Sequence, residues 1–326
     1  MKQFVKIISM RKRIIKIMLV MSIASCLMGC SKYNEKEIAL RDQGVAAMDE
    51  GNYEDAIKLF NEALGKSVGK VTDLELDIDY YKGAAQYVSG QFDAAVKTYT
   101  YLIKYDDKNF KPYFLRGSIY AKEGDIGQAI KDYNAAVAID KKNYLLYIEI
   151  YENLMSLGYS EQALTYLNDG LAVTDKSDES GYYKGRIYYL LGQNAEAEKL
   201  LKEAVNKDII EAKLYLAKIY QDAGNYEQAQ PLLEEYAASD DVTSEALGTL
   251  GDIALSSGDY EGSLNYYEAG LKLDSIDNLP QLMKGKASAL EKLYRFSEAK
   301  DTLTQYIEKY PNDEDVAKEL IFLQTR

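Results

Sequence analysis

The chain has 326 residues, 47% hydrophobic and 28% charged, the composition of a folded protein rather than a disordered one. It has no histidine, and its only cysteines, Cys26 and Cys30, lie near the N-terminus; this excludes Ser–His and Cys–His nucleophile pairs, the commonest metal ligand, and any disulfide or thiolate cluster in the body. The formal charge is −13, and because the first 29 residues carry six cations and no acid, the remainder carries −19, a surface that repels nucleic acid and suits neutral or basic protein surfaces or peptides.

Residues 1–16 are cationic and mixed, and residues 17–29 are apolar or small. A charged start, a short apolar run and small residues ahead of a cut form the secretory pattern. Bounded by Lys16, the run would span only about 20 Å as a helix, against a membrane core of about 30 Å. The expectation is therefore a cleaved signal segment over 1–29 and a short tether over 30–36. The run ends Leu27-Met28-Gly29-Cys30, followed by polar Ser31-Lys32-Tyr33-Asn34. This resembles the bacterial lipobox, with Met28 a departure from its usual small residue. The resemblance implies a diacylglycerol on the sulfur of Cys30, a cut just before it, and an added N-acyl chain of the palmitate type. Ile23-Ala24-Ser25-Cys26 is a competing match, so Cys26 is the alternative lipid carrier. Two or more acyl chains hold a protein stably on a bilayer where one does not. With Ser rather than Asp at position 31, the resemblance implies an extracytoplasmic bacterial lipoprotein of the cell surface or outer membrane.

Beyond the tether the chain repeats itself. GNYEDAIKLFNEAL from Gly51, GQFDAAVKTYTYLI from Gly90 and GDIGQAIKDYNAAV from Gly124 align, as do segments from Gly158, Gly192, Gly224 and Gly258, and a copy starting at Tyr294 without the glycine. The small residue five places on falls at Ala56, Ala95, Ala129, Ala163, Ala197, Ala229, Ser263 and Ala299, at gaps of 39, 34, 34, 34, 32, 34 and 36. A period of this length marks a repeat array. Each copy reads as two amphipathic helices joined at the glycine: Tyr113, Leu115, Gly117 and Tyr120 precede Gly124, and Ala129, Tyr133 and Ala136 follow at helical spacing. Gly44, Gly83, Gly117, Gly185 and Gly251 sit seven places before a loop glycine, where two backbones must approach.

Gly, seven, Gly, five, Ala, four, large apolar is similar to the tetratricopeptide repeat. The resemblance covers residues 37–311 and implies an all-α, right-handed superhelical solenoid of about eight helix-turn-helix units near 37–70, 76–109, 110–143, 144–177, 178–209, 210–243, 244–277 and 280–311, with a capping helix over 312–326. Tyrosine or leucine replaces the family's first-helix Trp; Tyr151 and Ala217 replace the first small residue in units four and six. The 39-residue gap places a longer loop near residues 66–76, and Pro231 is expected to perturb the first turn of its helix.

The family binds a peptide or helix in a groove lined by the first helices. Counting from the loop glycines, that implies Tyr80, Tyr87, Phe114, Tyr182, Arg186, Tyr189 and Lys218 as partner-contacting candidates, although most of the 30 tyrosines must serve as core. The Lys, Arg and Asn clamp that some members use to seize a terminal carboxylate is missing: the comparable places hold Arg41 and Val45, Tyr80 and Ala84, Phe114 and Ser118. The functions that follow are a membrane-anchored protein-interaction scaffold or, as the alternative, an accessory subunit of an envelope, polysaccharide or secretion assembly machine. A carboxylate-based enzyme is the last-ranked reading, and no metal or small-molecule cofactor is expected. Replacing Cys30 with Ala is expected to release the protein from membranes or leave it unprocessed; unchanged mature size together with membrane retention, read by fractionation and intact mass, contradicts the lipid assignment.

Overall fold

The computed structural model describes residues 35–66 and 71–323. The signal segment and both cysteines lie outside the described residues. The chain forms two units, divided between Thr174 and Asp175, and among the described residues all regular structure is helical. Unit 1 pairs α1 (Glu35–Asp49) with α2 (Tyr53–Leu64), α3 (Asp73–Val88) with α4 (Phe92–Tyr105), α5 (Phe110–Glu123) with α6 (Ile126–Ile139), and α7 (Tyr144–Ser156) with α8 (Ser160–Ala172). Unit 2 pairs α9 (Glu179–Leu190) with α10 (Asn194–Val205), α11 (Glu211–Asp222) with α12 (Tyr226–Ala237), α13 (Ser244–Ser257) with α14 (Tyr260–Leu271), and α15 (Leu279–Lys292) with α16 (Phe296–Lys309), and ends in α17 (Glu314–Leu323). The all-α helical-repeat class is thus present in each unit.

The turn inside each pair follows from one backbone requirement. At Gly124 the chain adopts φ +86°, the left-handed conformation, which costs a residue without Cβ least. The Gly124 N–H then donates to Ala121 O at 3.2 Å and the Asp125 N–H to Tyr120 O at 2.9 Å. This closes the carbonyl end of α5 with the two reversed bonds of a Schellman cap. The other six loop glycines share the positive φ. Next, Asp125 accepts from the Gln128 N–H at 3.1 Å and so starts α6. In the last pair Tyr294 stands in the glycine's place, takes φ +61° and is 82% exposed, yet the Arg295 N–H still reaches Leu290 O at 2.8 Å.

Packing within a pair is set by a small residue facing a large one. Ala56, Ala95, Ala129, Ala163, Ala197, Ala229, Ser263 and Ala299 all have no exposure, and the residue four places on, from Phe60 and Tyr99 to Tyr267 and Leu303, is buried in every copy. A Cβ on Gly117 would lie 2.9 Å from the Tyr133 ring, on Gly83 2.7 Å from Tyr99, and on Gly251 2.6 Å from Tyr267. The first helix therefore carries glycine because the second helix's ring occupies the Cβ position.

Polar staples add register. Arg116 of α5 makes a two-pronged contact with Asp132 of α6, Nε to Oδ2 at 2.7 Å and Nη2 to Oδ1 at 2.8 Å. The Tyr133 hydroxyl, also buried, donates to Asn153 Oδ1 of α7 at 2.8 Å, so the ring that fills one pair also ties it to the next. Such buried groups are stable only when paired.

One sequence expectation needs correction. The loop near 66–76 is shorter than expected because α3 begins at Asp73: Glu75 turns back to accept from the Thr72 N–H at 2.7 Å, a capping-box interaction that converts the end of the insertion into a first helical turn. Pro231 lies inside α12, which runs from Tyr226 to Ala237, and the hydrogen bond it removes falls in the first turn. Its missing N–H would have bonded the carbonyl of Glu227, an exposed residue of the first turn, where water can satisfy the oxygen.

Replacing Tyr294 with Gly removes a left-handed side-chain conformation, which costs about 1–2 kcal/mol. Thermal unfolding is expected to show a gain of about 1 kcal/mol, and an equal or lower melting temperature contradicts strain at this turn.

Candidate functional site

The candidate residues from the sequence fall into two groups that the structure treats differently. In unit 1, Tyr80 is half-buried and its hydroxyl accepts from Asn109 Nδ2 at 3.0 Å. Asn109 caps the start of α5, accepting from the Lys111 N–H at 3.1 Å. Tyr87 is half-buried with its ring 5.8 Å from Phe92, and with Tyr99, Leu115 and Ser118 it lines a cleft of about 10 Å³, room for no more than one water molecule. Phe114 is only 5% exposed, its ring 5.9 Å from Tyr133. These three are chiefly packing residues of the α3–α5 region.

In unit 2 the four candidates converge. Tyr182, Arg186 and Tyr189 lie on α9 at spacings of four and three, so they share one stripe; Lys218 lies on α11. All four meet at Tyr215 of α11. The Tyr215 ring is 6.0 Å from Tyr182 at 60° and 6.0 Å from Tyr189 at 68°, within the range of favourable tilted and edge-to-face ring pairs. The Arg186 Cζ lies 5.1 Å and the Lys218 Nζ 4.7 Å from the same ring's centre, both within cation–π reach. Tyr183 packs beside Tyr182 at 4.9 Å.

Carboxylates frame this cluster. The Tyr189 hydroxyl donates to Asp222 Oδ2 at 3.0 Å, and Lys218 Nζ pairs with Glu245 Oε1 of α13 at 3.0 Å, which carries the cluster across three successive first helices. Burial, followed by the neighbouring Tyr215, pushes the Tyr182 phenol well above its usual range. Burial and then the Asp222 carboxylate do the same at Tyr189. Both hydroxyls therefore remain protonated at neutral pH. The face offers rings with polar tips, held cations and carboxylates, which suit contact with another chain.

Tyr182 is 7% exposed, so it acts as a wall, while Arg186, Tyr189, Tyr215 and Lys218 are half-buried. The sequence reading missed Tyr215, which sits one place off the counted row. Its signal was present: Tyr215 precedes Lys218 by three and so shares a helix face with it.

Comparisons with known proteins agree with the helical-repeat fold. One sequence model of the tetratricopeptide repeat matches residues 33–70, 80–144 and 214–281, and a second model of the same repeat matches residues 285–313. The stretch between 144 and 214, which carries Tyr182, Arg186 and Tyr189, is among the parts that the first model leaves unmatched. No curated protein sequence matches the chain. Among solved structures, a tetratricopeptide repeat protein from Parabacteroides merdae ATCC 43184 is similar at 17% identity and a TM-score of 0.51, over 79% of this chain and 100% of that one. The APC/C hetero-tetramer Cut9–Hcn1 is similar at 14% identity and a TM-score of 0.50, over 91% of this chain and 72% of that one. At such identities the likeness concerns the fold.

Replacing Tyr215 with Ala strips the shared ring from two tyrosines and two cations. Denaturant unfolding is expected to show a loss of about 2 kcal/mol, below the 3–5 typical of fully buried rings, whereas Tyr101→Ala, at a site 43% exposed, is expected to stay within about 0.5 kcal/mol. Equal effects of the two substitutions contradict the arrangement around Tyr215.

Proposed function

The chain belongs to the tetratricopeptide repeat family, and on that premise we propose that it is an extracytoplasmic scaffold, tethered to a bacterial membrane by lipid on Cys30, that gathers other proteins by holding a peptide or helix against the α9–α11–α13 face. Proteins built from this repeat are generally interaction scaffolds, and no catalytic family is indicated. The observation that carries the choice of face is the convergence of Arg186, Tyr189 and Lys218 on Tyr215. Half-buried tyrosines supply large contact area with few torsions to freeze, and Tyr and Arg are the residues on which binding energy concentrates. The charge of the body beyond residue 29 favours a neutral or basic partner.

The tether rests on Leu27-Met28-Gly29-Cys30 and the cationic and apolar segments before it. Among the described residues no helix is long and apolar enough to cross a membrane; in this reading the attachment is the lipid on Cys30.

Site-specific photocrosslinking in intact cells tests the face. A crosslinker at Gln221, on the first helix α11, is expected to give protein adducts that fall about tenfold when Tyr189 and Lys218 are changed to Ala, a loss equivalent to about 1.4 kcal/mol. Adducts formed only from Tyr226, at the exposed start of the second helix α12, contradict the assignment.

A further inference from the structure

Tyr99, Tyr133 and Tyr267 hold the same place in their helix pairs, and each buries a hydroxyl along with its ring. Two of these hydroxyls have acceptors in the protein. Tyr133 donates to Asn153 Oδ1 at 2.8 Å, twenty places further on. Tyr267 donates to Asp252 Oδ1 at 2.5 Å, fifteen places back. Counted in the same way from Tyr99, those positions hold Ile119 and Ala84, both buried and neither able to accept from a hydroxyl through its side chain. Tyr99 is 1% exposed, and its hydroxyl makes no hydrogen bond to another of the described residues. Burial, followed by Tyr80 and Tyr87, pushes the Tyr99 phenol far above its usual range. The group therefore keeps its proton, and a buried donor of this kind requires an acceptor.

The cleft beside the ring fits one. Tyr87 of α3, Tyr99 of α4, and Leu115 and Ser118 of α5 line its volume of about 10 Å³, which is the room that a single water molecule takes. A buried water also needs two or more polar partners. Tyr99 brings a donor, and Ser118 brings an acceptor. The Ser118 hydroxyl gives its own proton to Phe114 O at 2.9 Å. The Tyr133 hydroxyl lies 3.3 Å from Ser118 Oγ, but it has one proton, and Asn153 at 2.8 Å is the better-placed acceptor for it. Lone-pair capacity therefore remains on Ser118 Oγ, at the wall of the cleft.

We propose that this cleft is the site of one resident water molecule, which accepts from the Tyr99 hydroxyl and donates to Ser118 Oγ. The water does for the α3–α4 pair what Asn153 does for the α5–α6 pair: it ties the ring that fills one pair to the first helix of the next. Where the amide of Asn153 reaches Tyr133 directly, Ile119 leaves that task to a solvent molecule held between α3, α4 and α5.

Oxygen-17 relaxation dispersion of water in solutions of the whole protein counts the water molecules that stay bound for longer than the protein takes to tumble. Tyr99→Phe and Ile119→Asn are each expected to lose one such water, the first because the donor is gone and the second because an amide acceptor takes the water's place. Tyr267→Phe, at a hydroxyl already paired with Asp252, is expected to lose none. Phenylalanine already stands at this place in the first pair, as Phe60, so the fold accommodates it. Denaturant unfolding supplies the sign. A hydroxyl bonded to water contributes to stability, so Tyr99→Phe is expected to raise the unfolding equilibrium constant about fivefold, whereas removing an unsatisfied hydroxyl would leave that constant unchanged or lower it. An unchanged count of long-lived waters in Tyr99→Phe, or an unfolding constant that fails to rise in that variant, would overturn the proposal.

Discussion

Every helix pair must bring two backbones close while still filling the space between them, and four of the described pairs meet this demand by opposing a residue with almost no side chain to one of the largest the chain has. Gly44 faces Phe60, Gly83 faces Tyr99, Gly117 faces Tyr133 and Gly251 faces Tyr267, and a Cβ on any of these glycines would lie between 2.4 and 2.9 Å from the ring. Where the first helix carries something larger, the second carries less: with Tyr151 and Ala217 come the buried leucines Leu167 and Leu233. Gly185 against Leu201, at 2.8 Å, keeps the glycine beside a leucine. Interiors this dense tolerate neither voids nor excess volume, so the two positions must be chosen together.

That division of labour sets where function can reside. The second helices bury their alanine and ring rows completely and leave little latitude there. The first helices contribute one stripe to this interlock and keep another directed away from it, and on that stripe Arg186, Tyr189 and Lys218 gather around Tyr215. The cluster spans α9, α11 and, through Glu245, α13, so it exists only because repeats place equivalent residues side by side. A scaffold built this way can change its partner by substitution on one stripe without disturbing the pair that supports it.

The repeat was legible because it is written in backbone needs: a positive-φ glycine and a zero-exposure alanine recur at fixed distance whatever else varies. Features that depend on neighbours in space were less so. Tyr215 lay one residue off the counted row, and its role emerges only once α9 stands beside α11. Phe114 and Tyr182 occupy the counted row, yet Tyr133 and Tyr215 cover them, because their rings sit where neighbouring helices meet. The Thr72–Glu75 capping box could have been read from the sequence, but the longer gap between repeats drew it into a loop. Tyr294 in a glycine's conformation shows the turn geometry prevailing over local preference.

The interlock itself is best tested by a double-mutant cycle between Gly117 and Tyr133. If the ring fills the missing Cβ, Gly117→Ala destabilises the natural chain by about 1–3 kcal/mol through overpacking. In a Tyr133→Ala background the same change becomes neutral or favourable, since Ala exceeds Gly in helix propensity by about 1 kcal/mol; the coupling energy is then large. Additive effects of the two substitutions on unfolding free energy would mean that the glycine and the ring do not depend on each other, and that something other than their interlock holds each helix pair together.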